Sequence, residues 1–462
     1  MAKKCQGDTN ANRARAIWSW NRRALQSIIA GCACVSSPET DQIKLIMKTT
    51  IIIILSLSTA GFSMAKPDNH WPAWRGPEAL GSTGKGSYPT KLSGGENLIW
   101  KVALPGKGCS TPVVWDDHVL LTCPIEGKDA VLAFDWEGKE LWQTQVGDER
   151  KGKHRNGSGS NPSVVTDGKS IYALFKSGNF ARVDFDGKIL WKNDLTSYGK
   201  DTLYWDFGTS PILTSEHVIV ALMRKNNSWL VAFDPKSGKV AWKIERNYET
   251  PPECDHSYAT PTLIKHKGEE AILVWGAERL SAHSAKDGSM LWVSTGFNPK
   301  QKKNWVVVGS QVVAGEVAIV PYGRGTHLAG IKLGGKGDVS DSHRLWTRTD
   351  SGCFVPTPAV ADGKVYVLRD RGEVHCIDPK TGKSHWEGAF PRASSSYYGS
   401  PTIAGGKLYA PREDGVILVA DVTDGFKFLA ENDMGERVIA SPVPVANRLL
   451  IRGEKHLFCL GE

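Results

Sequence analysis

One stretch recurs along this chain, and its clearest copy runs from Thr357 to Trp386 as TPAVADGKVYVLRDRGEVHCIDPKTGKSHW. It alternates with period two. Ala359 and Val360 lead into the turn pair Asp362-Gly363, and Val365 to Leu368 form a β-branched and aromatic run. Arg371-Gly372 turns the chain again, Val374 to Ile377 make a third short strand, and the turn Asp378 to Gly382 places Gly where a positive φ is wanted. The unit closes on a Trp. Four short strands joined by hairpins cannot bury both faces alone, so the unit demands stacked copies of itself.

The copies are marked by a Ser or Thr before Pro at the opening and a Trp at the close. Openings stand at Ser110-Thr111-Pro112, Ser160-Asn161-Pro162, Ser210-Pro211, Thr260-Pro261, Thr357-Pro358, Ser400-Pro401 and Ser441-Pro442, with Ser310-Gln311 in the equivalent place without its Pro. Closings stand at Trp142, Trp191, Trp242, Trp292, Trp346 and Trp386, with Leu429 at the seventh. Their spacing of 40 to 54 residues is that of propeller blades. Eight openings meet seven closings. The last unit ends at His456 to Leu460 without a fourth strand, and the missing strand is at the other end, Asn97 to Leu104. Pairing the two closes the ring and removes open sheet edges. The expected fold is all-β: an eight-bladed propeller of four-stranded antiparallel blades over residues 97–462, with strand 97–104 completing the last blade.

Charge narrows the partners. The chain carries a formal +8, but residues 1–48 hold a surplus of five, which leaves the remainder near +3 and no footprint for nucleic acid. Residues 47–65, from Met47 to Ala65, have the Lys, short apolar run and small-residue end of a secretory signal peptide. The expectation is an exported, monomeric protein of the periplasm or cell exterior, without a membrane span, whose translation starts at Met47. Residues 1–46 then read as a non-native or disordered extension. A rival lipid-anchor reading at Ile29-Ala30-Gly31-Cys32 lacks a continuous apolar run before it. Residues 66–96 form a Pro- and Gly-rich leader in which Trp71 and Trp74 are expected to dock on the propeller flank. Six cysteines follow Ala65 with no CxxC or adjacent pair; Cys376 and Cys459 fall on matching third strands, where a small buried apolar side chain is the plain reading.

The motif D-x-x-(T/S)-G-K-x-x-W at Asp234–Trp242 and Asp378–Trp386 resembles the pyrroloquinoline-quinone-like (PQQ-like) propeller repeat. With the WPAWRGP leader and the Gly334 to Asp338 insertion, the chain resembles the secreted PQQ-like repeat proteins of planctomycete-type bacteria. More distantly it resembles outer-membrane assembly lipoprotein propellers and quinoprotein alcohol dehydrogenases. The repeat specifies a fold and leaves function open.

Function is expected where the copies differ, in the loops entering each innermost strand. These supply His154, Arg155, Trp205, Asp206, Asp255, His256, Trp305, Tyr397 and Arg437 as candidate ligand-binding residues, an aromatic and basic set suited to a planar or anionic ligand. The turn residues Arg224, Arg324, Arg369, Arg412 and Arg452 read as solvated loop tips. No catalytic residue and no metal ligand is assigned. The resemblance offers a PQQ-dependent alcohol-type dehydrogenase with calcium as the alternative, with Asp206 or Asp255 as base and Trp205 or Trp305 beneath the quinone. Such enzymes stack the quinone on a disulfide between adjacent cysteines, and this chain has no Cys-Cys. The primary expectation is therefore a non-catalytic binding or scaffold module for an unknown protein or a small planar or anionic ligand.

Overall fold

The computed structural model describes residues 70–92 and 95–461. The signal-peptide and start-site readings lie outside them. Eight sheets follow one another along the chain, numbered here as blades 1 to 8: residues 113–148, 165–194, 212–245, 262–294, 312–348, 359–389, 402–433 and 443–461. Each is an antiparallel meander, and blade 8 takes its fourth strand, Leu98–Ala103, from the front of the chain, paired antiparallel with His456–Gly461. Helix is confined to one 3-10 turn, Leu195–Tyr198, among the described residues.

Burial falls from the axis outward. Inner strands such as Thr402–Ala404 are wholly buried, while fourth strands such as Val240–Glu245 alternate exposed and half-buried residues, as expected of strands with one face on a neighbour. The Trp of the fourth strand wedges beneath the next blade. Trp100, Trp142, Trp191, Trp242 and Trp346 each donate their indole N–H to a carbonyl in the following blade's third-to-fourth-strand turn, at 2.8–3.1 Å. The turn Gly must lie flat on the indole: a methyl at Gly382 (φ 71°) would fall 2.5 Å from Trp346. Trp292 differs because the blade 5 insertion covers it, Gly337–Asp338 pairing in parallel with Trp292 and Val293.

The Ser and Thr residues at the blade openings form a ring around the axis. Backbone N–H groups donate from Thr111 to Ser163 Oγ, Ser163 to Ser210, Ser210 to Thr260, Thr260 to Ser310, Ser310 to Thr357, Thr357 to Ser400, and Ser441 to Thr111, at 2.9–3.3 Å. Seven of the eight inner strands enter with an N–H that no strand pairs, and the neighbouring blade's hydroxyl satisfies it. In blade 2 the hydroxyl comes from Ser163, just after Pro162, and not from Ser160.

The leader takes the axis and not the outer flank. Trp71 exchanges two backbone hydrogen bonds with Val114 of blade 1, and Thr166 of blade 2 donates to Pro72 O. The chain then crosses to blades 6 and 7, where Val360 donates to Leu80 O and Ile403 to Gly81 O, and Ser82–Thr83 pairs in parallel with Ile403 and Ala404. Inner strands leave an unpaired edge facing the axis, and the leader fills it on opposite sides of the ring.

Candidate functional site

Outer-to-inner connections and second-to-third-strand turns meet on one face, here the entry face. At its centre is a funnel of about 380 Å³ lined by residues from all eight blades. Its wall carries the ring residues Thr111, Thr260, Ser310, Thr357, Ser400 and Ser441, the aromatic residues Trp205, Tyr258, Phe354 and Tyr398, and Trp74 from the leader.

Of the candidate residues, His154, Trp205 and Asp206 meet in this funnel. His154 contacts Trp205 edge-on at 5.0 Å and stacks on Tyr398 at 6.2 Å. The Asn156 N–H donates to His154 Nδ1 at 3.1 Å, which leaves the ring proton on Nε2. Burial, followed by the charge of Arg155, lowers the His154 pKa. Trp205 is half exposed, and its backbone N–H donates to Tyr258 Oη at 3.0 Å; next to it Tyr204 is the most exposed large aromatic among the described residues.

Among the described residues Asp206 is the one carboxylate on the funnel wall. It is fully committed. Oδ1 accepts from Lys176 Nζ at 2.5 Å, and the N–H groups of Lys153 and His154 donate to the carboxylate at 2.8–2.9 Å. These bonds fasten the long blade 2 loop to blade 3.

Arg155 and Arg437 meet outside the funnel, on the rim, around Glu413 of blade 7. Arg155 Nη2 reaches both Glu413 oxygens at 3.2 Å, Asn156 Nδ2 donates at 2.6 Å, the Ser396 N–H at 3.1 Å, and Arg437 Nη1 lies at 3.7 Å. Burial works to raise the Glu413 pKa; the amide, the N–H and both guanidinium groups outweigh it and hold it low. The remaining candidates lie apart from the cavity. His256 is buried beside Tyr204, its Nε2 3.9 Å from Asp255 Oδ1. Trp305 packs with Tyr322 and His327 on the blade 5 rim. Tyr397 is buried in a bridge to Arg412, so alternation turns its neighbour Tyr398 to the funnel instead.

Three of the five turn arginines correct the solvated reading, while Arg324 is exposed as that reading expects and Arg369 is half-buried. Arg224, Arg412 and Arg452 are buried. Arg452 donates to Ser110 O at 3.1 Å and to the Ser110 hydroxyl, and Arg412 pairs with Asp414 and Glu431. Arg324 alone of the set lines the funnel, its guanidinium 4.5 Å above the Phe354 ring. Phe354 had no sequence signal, since it lies outside the repeat; Trp74 was expected to dock on the flank and instead lines the funnel.

The funnel does not fit a calcium-bound quinone. Asp206 has no oxygen to spare as ligand or base, Asn161 Oδ1 is taken by Ser158, and Asn156 Oδ1 by Arg437. No cluster of His, Cys, Asp or Glu among the described residues is arranged to hold a metal. Cys109 alone lines the wall, and burial raises its thiol pKa.

Comparison with known proteins gives a consistent picture. A family model described as outer membrane protein assembly factor BamB matches residues 91–202, 127–353 and 336–428. The Yersinia pestis protein of that name is 22% identical over 336 residues, covering 70% of this chain and 78% of its own. Among solved structures, BamB from Moraxella catarrhalis superposes with a TM-score of 0.56 at 15% identity, covering 79% of this chain and 97% of that one. A europium-containing methanol dehydrogenase gives 0.63 at 11% identity over 86% and 99%, and the quinohemoprotein alcohol dehydrogenase of Comamonas testosteroni 0.59 at 12% over 87% and 82%. At these identities the structural likeness carries the fold alone. Eight blades, the repeat and the matched segments together make this chain a member of the BamB-like PQQ-repeat propeller family.

Proposed function

We propose that this chain is an exported, non-catalytic docking module that presents its entry face to a protein partner and holds a planar or anionic group of that partner in the funnel. One observation carries the reading. The only carboxylate on the funnel wall among the described residues, Asp206, is consumed by Lys176 and two backbone N–H groups, while Tyr204 and Trp205 stand exposed beside it. A site without a free base but with exposed aromatic rings and Arg324 is equipped to bind and not to move protons. The matching family model and the Yersinia pestis relative are described as an outer membrane protein assembly factor, which supports a protein partner in the cell envelope. The Met47 to Ala65 segment supports export.

The test has two arms. Purified protein is titrated with PQQ and calcium while absorbance and dye-linked alcohol oxidation are followed; neither should change. A photo-crosslinking residue is then placed at Trp205 or, as control, at Leu141 on an outer strand, in the native host. Adducts should form from position 205 only. Quinone-dependent oxidation that disappears in Asp206→Ala would overturn the proposal.

A further inference from the structure

Beneath the funnel lies a second cavity of about 240 Å³, between leader residues 72–79 and the inner strands of blades 2 to 6, and Trp74 lines both. Arg75 is on its wall and is only 2% exposed. Nη2 donates to Pro358 O at 3.2 Å, but Nε and Nη1 have no partner. The guanidinium is held in place by close packing: a methyl at Gly81 (φ 67°) would fall 1.8 Å from Nη2. No neighbouring charge offsets it. Burial alone acts on its pKa, lowering it to about 9, so the group is cationic at neutral pH. Glu78 shares the wall but is exposed.

An uncompensated buried cation costs several kcal/mol, and water, being neutral, does not supply the missing charge. The rest of the wall is rich in donors. Thr260, Ser310 and Thr357 line it, and each hydroxyl oxygen already accepts a backbone N–H of the opening ring, which leaves its proton to donate. Gln311 contributes an acceptor: its Nε2 serves Thr260 O, Thr262 Oγ1 and Leu273 O, and its unpartnered Oε1 suits one bridging water.

We infer that this cavity is a binding site for a halide-sized monovalent anion, drawn by the uncompensated charge of Arg75 and held by the hydroxyl protons of Thr260, Ser310 and Thr357. The site is distinct from the funnel and independent of what docks there. It makes the leader's closure of the axial channel dependent on the anion.

Thermal midpoints of the exported protein are measured while chloride replaces gluconate at fixed sodium, for wild type and Arg75→Met. The wild-type midpoint should rise by about 1–2 °C for each tenfold increase in chloride above the dissociation constant. The variant should show no rise, and at low chloride should melt no earlier than wild type, because an apolar side chain replaces an unpaired buried charge. Crystals of wild type soaked in bromide should show an anomalous peak in this cavity, within hydrogen-bonding distance of the Thr260, Ser310 or Thr357 hydroxyls, which tests the site even if the variant does not fold. Equal chloride responses in both proteins, or only water in the cavity in the bromide data, would overturn the assignment.

Discussion

Lys176 Nζ lies 2.5 Å from Asp206 Oδ1, with both side chains almost wholly out of solvent, in a pair that joins a blade 2 turn to the loop entering blade 3. Lys176 also donates to Lys151 O at 2.8 Å, so a single ammonium fixes the course of the blade 2 entry loop.

Removing one partner of that pair leaves the other charged and buried. Asp206→Asn should cost about 3–5 kcal/mol. Lys176→Met should cost less, since two backbone N–H groups still serve the carboxylate. The double variant should recover part of the loss. Urea unfolding of the four proteins measures the coupling, and strictly additive losses would rule out a direct pair.

The opening ring makes a prediction that distinguishes a hydroxyl from mere volume. Ser310→Ala strips the acceptor from the Thr260 N–H, which is buried, and should cost about 1–3 kcal/mol. Ser310→Thr keeps the oxygen found at Thr111, Thr260 and Thr357 and should lie well below that loss. Denaturant midpoints of the two variants make the comparison.

Acid should destabilise the blade 3–blade 4 contact through His283. Burial, with the nearby Arg246 charge, lowers its pKa from 6.5 to about 4, and the neutral ring is held between the Ser281 hydroxyl at 2.9 Å and Gly288 O at 3.0 Å. The unfolded chain therefore takes up a proton at higher pH than the folded one. Stability should be flat above about pH 6.5 and fall as pH drops towards 4, by about 3 kcal/mol from this group. His283→Gln should flatten the decline. Unfolding free energies at pH 7.5 and 4.5 give the sign directly.

Asp129 works the opposite way. Burial raises its carboxyl to about 6 despite hydrogen bonds from Ser177 and Asn179, and its Oδ1 has no partner. The charged form is disfavoured in the folded protein, so ionisation costs stability above pH 6 and the cost vanishes as pH falls below about 4. Asp129→Asn should raise stability at pH 7.5 by about 2 kcal/mol and change little at pH 4. A variant less stable at both values would contradict the assignment.

The sequence made the fold legible because its signals are local. Alternation, Asp-Gly turns and terminal Trp residues specify each blade within about fifty residues, and the count of openings against closings located the closing strand within 97–104, where the structure has Leu98–Ala103. His154, Trp205 and Asp206 were found for a similar reason: they sit in the long loops where the copies differ. His256 and Trp305 sit in such loops too, yet their loops turn them onto neighbouring aromatic residues, and Asp255 lies beside His256 away from the funnel. Loop length marks a departure from the repeat but does not set the direction of a side chain.

The chain by itself determined the number of blades, the ring closure and the Trp wedge, since a repeated pattern packs only against its own copies. Only the tertiary structure decided that Arg155 meets Glu413 across 258 residues, that Asp206 is spent on Lys176, and that the leader threads the axis with Trp74 between two cavities. Those contacts join segments that do not repeat. Their partners are set by where the closed ring brings unpaired edges and buried charges together, and no period in the sequence encodes that meeting.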